Sequence, residues 1–189
     1  NYLQLEGLCY RLVPIDNGGR EKVNTEAMYD NLMHKFRFGG IENPDIYIDE
    51  NLMRMCRTHR MMFASLVEAL MDEGQNDKAL EVLDYCMQVI PPTTVPHDYT
   101  SVMLADAYYT LGENAKGDNI TGAFAAELYQ RLDWIQSLPE KDRNRLSREM
   151  GAQQNLGMLH NLYYICADNE RPLAEEIRSR FEQYYLMAQ

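Results

Sequence analysis

The residues able to do chemistry are spread too thinly to do it together. Four histidines, His34, His59, His97 and His160, are scattered along the chain. None lies four residues from another, the spacing that puts two imidazoles on one helix face for a metal. Cys9, Cys56, Cys86 and Cys166 are widely spaced, with no CxxC pair and no neighbouring histidine that would repeat a zinc-ligand spacing. Three of them fall within helical patterns, where a free cysteine behaves as a small buried hydrophobe. Asp45, Asp49 and Glu50 bring carboxylates together, as calcium binding or acid–base work would require. They also flank an extended-to-helix junction, where Asp49 or Asn51 is placed to cap the next helix. The pairs Gly18–Gly19 and Gly39–Gly40 lack the strand–glycine–helix context and the lysine of a phosphate loop, and read as turns. Asn119-Ile120-Thr121 fits a glycosylation acceptor but lies inside a helical pattern. The residues therefore nominate no catalytic, metal-binding or cofactor-binding position.

Composition narrows the class of partner. The 189 residues are 46% hydrophobic, enough for an ordinary core in one domain or two small ones. Lys and Arg number 18 against 29 Asp and Glu, a formal charge of -11. Such a balance repels phosphate backbones and anionic lipid heads unless a basic patch is segregated. The most basic stretch, KDRNRLSR at Lys141 to Arg148, is interrupted by polar residues and reads as a solvated helix start. Nucleic acid is thus not an expected partner. No apolar run approaches the ~20 residues that span a bilayer. The sequence opens at Asn1 with neither an initiator Met nor a signal segment, which reads as a fragment of a longer protein.

The first fifty residues differ from the rest. QLEGLCYRLVPID reads as an extended segment and IDNGGREKVN as a loop. Asn24 or Thr25 then caps a short helix, TEAMYDNLMHKFRF, which Gly39–Gly40 ends. Alternating Ile46 and Ile48 in IENPDIYIDE predict a second extended piece. Residues 1–50 are therefore expected to form an irregular N-terminal cap, and residues 51–189 a helical repeat region compact with it.

From Asn51 the spacing is helical. Asn51 to Glu73 predicts a long helix with Met55, Met62, Phe63, Leu66, Leu70 and Met71 on its apolar stripe. Gly74 stops it, Gln75 to Asp77 turn, and Lys78 to Ile90 form a second helix ended by Pro91–Pro92. A second hairpin runs through HDYTSVMLADAYYTLG to Gly112 and on to Leu138, with Gly117 and Gly122 weakening the start of its later helix. Lys141 to Ala167 and Arg171 to Met187 make a third pair, with Asn169 in the left-handed position of the turn. The breaks at 74, 112 and 169 give an imperfect internal repeat. The expected fold class is all-α, a stack of about three hairpins.

In the first hairpin Phe63, Leu66, Val67, Leu70, Gly74, Ala79, Leu83, Cys86 and Pro91 occupy the spacing of a tetratricopeptide repeat, which this stretch resembles. The second copy keeps Leu104, Ala105, Tyr108 and Gly112 but has Gly117 for the alanine. The third keeps Leu162, Ile165 and Ala174 and departs in length. NYLQLEGLCYRLVPI and VNTEAMYDNLMHKFRFGGIENPDIYIDENLMRM, read with the first repeat, resemble the soluble C-terminal tail of a family of large bacterial membrane proteins. The multispanning part of that family is similar to protein O-mannosyltransferase-type glycosyltransferases. The resemblance implies a periplasmic tail joined to the membrane only through a preceding transmembrane part. It also implies that any transferase chemistry lies outside these residues.

What remains is a binding surface. In the repeat register the first helix of each pair lines the concave face. That face would present Met61, Glu68 and Asp72, then Tyr99, Asp106 and Tyr109, then Leu159 and Tyr163. Such a groove is acidic and aromatic, suited to a protein or peptide partner, or to a glycan. Two readings follow: a non-catalytic interaction module on a membrane glycosyltransferase-like protein, or a free-standing cytoplasmic adaptor of a soluble complex. Packing of these tyrosines between repeats is the plainer alternative.

Overall fold

A computed structural model of the chain describes residues 2–16, 18, 22–143 and 151–187. Gly19 and the part of the basic stretch from residue 144 onward lie outside the described residues. The described chain is mostly helical, with three short strands. It divides into two compact units, Asn1–Thr100 and Ser101–Gln189, so a division drawn at residue 50 runs through the interior of the first.

The first unit opens with a sheet that the sequence reading had as one extended segment and a loop. β1 (Leu3–Leu5) and β2 (Tyr10–Leu12) form an antiparallel hairpin, and β3 (Lys22–Val23) adds parallel to β1, in the order β2-β1-β3. Glu6 ties this sheet to the next element. Its carboxylate accepts from Arg11 Nε at 2.8 Å and from Asn24 Nδ2 at 3.1 Å, and its carbonyl accepts from Asn31 Nδ2 at 2.6 Å. Asn24 caps α1 (Thr25–Asp30), its side chain accepting from the Ala27 N–H.

That helix ends earlier than Gly39–Gly40. It runs into a π-helical turn, Asn31–Lys35, closed by the Phe36 N–H donating to Asn31 O at 2.8 Å, and Phe36 is extended. The early exit brings Phe36 and Phe38 onto His59, and Phe38 onto Phe63 and Tyr85 as well. The second expected strand is also absent. Gly39 and Gly40 both take left-handed conformations, and residues 39–46 fold into turns instead.

Asp49 caps α2 (Glu50–Asp72), accepting from the Leu52 N–H at 2.8 Å. α3 (Asn76–Val89) follows and packs back along it. Phe63, Leu66, Val67 and Leu70 of α2 are buried with Ala79, Val82, Leu83 and Cys86 of α3. Met55 is an exception to the predicted stripe, at 57% exposed. α1 and the π-helical turn cover the same hairpin: Met28 and Leu32 are fully buried, Tyr29 donates to Glu81 at 2.6 Å, and Thr25 donates to Glu73 at 2.9 Å. The Glu81 hydrogen bond pushes the Tyr29 phenol up to about 12.

In the second unit α4 (Tyr99–Thr110), which starts at the unit boundary, leads to α5 (Asn114–Ser137), α6 (Ala152–Asp168) and α7 (Leu173–Met187). Phe124, Leu128 and Leu132 of α5 share a core with Leu156, Leu159, Leu162 and Cys166 of α6 and with Ile177 and Tyr184 of α7. The helix predicted from Lys141 to Ala167 is not continuous, because Gly151 is left-handed where α6 begins. Gly117 does not loosen α5. A methyl group there would overlap the Tyr109 ring, so the glycine permits the closest packing of that hairpin.

Three turns share one hydrogen-bond pattern. Gly74, Gly112 and Glu170 are left-handed, and each donates its N–H three residues back, to Met71, Tyr109 and Ala167. The following residues Gln75, Glu113 and Arg171 donate five residues back, to Leu70, Tyr108 and Cys166. This doubly bonded pattern closes a helix with a left-handed residue. In the third turn that residue is Glu170, not Asn169, which keeps a negative φ and donates its side-chain amide to Ile165 O at 2.8 Å.

Candidate functional site

An open cleft of ≈ 420 Å³ lies in the first unit between the N-terminal sheet and α2. Leu5, Tyr10, Lys22 and Val23 supply the sheet side, and Met62, Ser65, Glu68, Ala69, Asp72 and Glu73 the helix side. The local cause is the α2 register. Phe63, Leu66 and Leu70 turn inward to α3, which leaves the row through Ser65, Glu68 and Asp72 on the opposite, open face.

The carboxylates differ in their commitments. Glu73 accepts from Thr25 Oγ1 and from Gln75 Nε2. Glu68 and Asp72 are exposed, and no cation among the described residues pairs with either. A second cleft of ≈ 380 Å³, lined by Glu6, Arg11, Asn24, Asp30, Asn31 and Lys35 among others, is different in kind. There Arg11 pairs with Glu6, Lys35 pairs with Asp30 at 2.5 Å, and Asn24 and Asn31 both donate to Glu6. Its polar groups satisfy one another, whereas in the first cleft, which Lys22 also lines, Glu68 and Asp72 form no ion pair among the described residues.

The other expected groove residues are placed variously. Met61 is half-buried on α2, and Tyr99 is 53% exposed at the start of α4. Tyr163 is half-buried against the second unit's core, and Leu159 is fully buried within it. Asp106 is at the surface, with its carboxyl held above the usual range by desolvation, opposed by a hydrogen bond from Asn169. Tyr109 is withdrawn from any groove. Its hydroxyl donates to Asp118 Oδ1 at 3.0 Å and lies 3.0 Å from Thr121 Oγ1. Arg171 completes this cluster, pairing with both Asp118 oxygens and lying over the Tyr109 ring. Thr121 of the glycosylation-like triplet is buried here and donates to Gly117 O.

A buried arginine was not anticipated. Arg60 of α2 is 1% exposed and donates to Pro96 O at 3.0 Å, Ile90 O at 3.1 Å and Val95 O at 2.6 Å. Its position four residues after Cys56 and three before Phe63, on the buried stripe, was the available signal.

The buried thiols are poor nucleophiles. Desolvation raises Cys56 and Cys166 and pushes Cys86 up to about 12, the reverse of the shift that activates a cysteine. Among the described residues no group of three His, Cys, Asp or Glu side chains gathers as a metal centre, and no helix is long and apolar enough to cross a membrane. Comparison with protein-family models, curated proteins and solved structures found no match to this chain.

Proposed function

We propose that this chain is a non-catalytic interaction module, built on tetratricopeptide-like hairpins, whose working surface is the cleft between the N-terminal sheet and α2. The observation that carries the reading is the pair Glu68 and Asp72, exposed in a concave site that Lys22 also lines, with neither carboxylate paired to a cation among the described residues. Carboxylates held in that state attract a basic partner over roughly a Debye length, about 8 to 10 Å, and so raise its on-rate. The setting suggested by the N-terminal motifs is the periplasmic tail of a membrane glycosyltransferase-like protein, contacting an acceptor protein, a glycan or a partner subunit. A free-standing adaptor is the competing setting.

The experiment captures partners from a membrane extract with the wild-type chain and with a Glu68→Gln, Asp72→Asn double variant, and assays both for glycosyl transfer. The expected result is a partner lost from the variant and no turnover by either protein. A partner retained equally by both would remove the cleft from the reading, and turnover by the isolated chain would end the non-catalytic assignment. The encoding gene separates the settings: an upstream frame with about ten apolar segments of spanning length supports the membrane protein.

A further inference from the structure

The cleft has two walls of different chemistry. On α2 the exposed residues Glu68 and Asp72 stand one helical turn apart, which places their Cβ atoms ~5 to 6 Å from each other. Beside them Ser65 and Ala69, also one turn apart, are small and only half-buried, so a neighbouring backbone can come close. On the sheet Leu3 pairs with Leu12 and Leu5 with Tyr10. Cross-strand partners and alternate residues share a face. Leu5 and Tyr10 line the cleft, so Leu3 and Leu12 extend the same side outward, and Leu12 is 77% exposed.

An apolar shelf, with Lys22 at its β3 edge, thus faces an acidic rail set at helical pitch. We propose that the cleft is the docking site of a basic amphipathic helix of a partner protein, lying alongside α2. Its apolar stripe would rest on Tyr10 and Leu12, and lysine or arginine side chains one turn apart would meet Glu68 and Asp72. Three features fit a helix. Cations at i and i+4 of a helix repeat the one-turn spacing of Glu68 and Asp72 on α2. Packed helix axes lie about 8–10 Å apart depending on the side chains at the contact, and Ser65 and Ala69 are small. Stacked-repeat hairpins, finally, bury their sides on neighbouring elements, and this side of α2 is only partly covered. The proposal rests on the cleft being the working surface and adds the chemistry of its occupant.

The test uses three labelled synthetic peptides and fluorescence anisotropy with the whole chain. The first has leucines at i, i+3, i+4 and i+7 with lysines elsewhere. The second replaces every lysine by glutamate, and the third keeps the first composition in strict alternation. Tight, salt-sensitive binding of the first alone is expected. Glu68→Gln with Asp72→Asn, and separately Leu12→Ser, should each weaken it by on the order of tenfold, with unchanged circular dichroism. Glu175→Gln with Glu176→Gln, which removes the same charge in the other unit, should leave it unaltered. Equal weakening by that control would reduce the effect to net charge and overturn the proposal, as would a preference for the alternating peptide. A native partner that is lost from the cleft variants but carries no basic helix would overturn this inference while leaving the interaction module intact.

Discussion

Two arginines fasten the ends of helical hairpins, and they do so by opposite means. Arg60, in the interior of the first unit, aims its terminal nitrogens at the carbonyls of Ile90, Val95 and Pro96 and so holds the chain that leaves α3. Among the described residues only Asp98, 3.9 Å away, offers it a countercharge, and its Nε has no hydrogen-bond partner there. Arg171, in the second unit, is mostly shielded but reaches a carboxylate that is 38% exposed, and it ties the α6–α7 turn to Asp118 at the start of α5. Backbone carbonyls do not titrate, so the hydrogen bonds of the first fastening depend on no acceptor's ionisation, and they fail as a whole if the cation is removed. The second depends on the ionisation of Asp118, whose pKa is lowered chiefly by the Arg171 hydrogen bonds. One fastening is a fixed part of the core, and the other is adjustable from solvent.

The largest effect should come from Arg60→Met, which keeps most of the volume but leaves three carbonyls without their donor. At ~1 to 3 kcal/mol for each buried group left unsatisfied, offset where the chain can turn to water, the loss is on the order of 3 kcal/mol. It should be concentrated in residues 91–98, visible as faster amide exchange and early proteolysis there. Unchanged protection would mean that the carbonyls are equally well served without Arg60. Next is Gly117→Ala, whose methyl would collide with a Tyr109 ring fixed at its hydroxyl by Asp118 and Thr121. Overpacking of this kind costs about 1 to 3 kcal/mol. Trp134, the only tryptophan, lies in α5, so its fluorescence during urea unfolding reports this unit directly.

Those two sites also mark where sequence reasoning stopped. The hairpins were legible because their signals are local: apolar spacing on Phe63, Leu66 and Leu70, a glycine for the left-handed turn, a small residue at Ala79. Glu68 and Asp72 followed from the same register and do come together in the cleft. Its other wall was not legible, because strands of two or three residues are defined by pairing across the chain. Nothing near Leu5 or Tyr10 announces a partner at Lys22–Val23. Arg60 was missed since an arginine is ordinarily counted as surface, and only its place on the buried stripe contradicts that. Tyr109 was assigned to the groove by register alone. The glycine eight residues later is what lets its ring turn inward.

A smaller effect is expected from acid. A carboxyl whose folded pKa lies below its unfolded value stabilises the fold above the unfolded pKa, ~3.9 for aspartate, and that contribution is lost as pH falls through the folded value. The midpoint followed at Trp134 should therefore drop below about pH 4 in the wild type, and more shallowly in Asp118→Asn. Protection of residues 91–98 should change less across the same range, because the carbonyls that Arg60 holds do not titrate. Parallel pH profiles for wild type and Asp118→Asn would show that the Arg171 pair is not the source of the dependence.

The smallest effect separates the turns themselves. Gly74 and Gly112 take the left-handed conformation freely, but Glu170 takes it with a φ of 54°, which costs a non-glycine residue ~1 to 2 kcal/mol. Asn169 would bear that conformation better, yet it is one residue too early. The left-handed position must directly precede Arg171 for its N–H to reach Cys166 O at 2.7 Å while its side chain meets Asp118. Glu170→Gly should relieve the strain, but it also frees the unfolded chain at a cost of about 0.4 to 1 kcal/mol, so the net gain should be roughly 0.5 kcal/mol. Asn169→Gly should instead destabilise, because it relieves no positive φ and removes the side-chain bond to Ile165 O. Urea midpoints at Trp134 that move in opposite directions for the two variants would place the strain at Glu170. Equal shifts would mean that the Arg171–Asp118 fastening does not set the register of this turn.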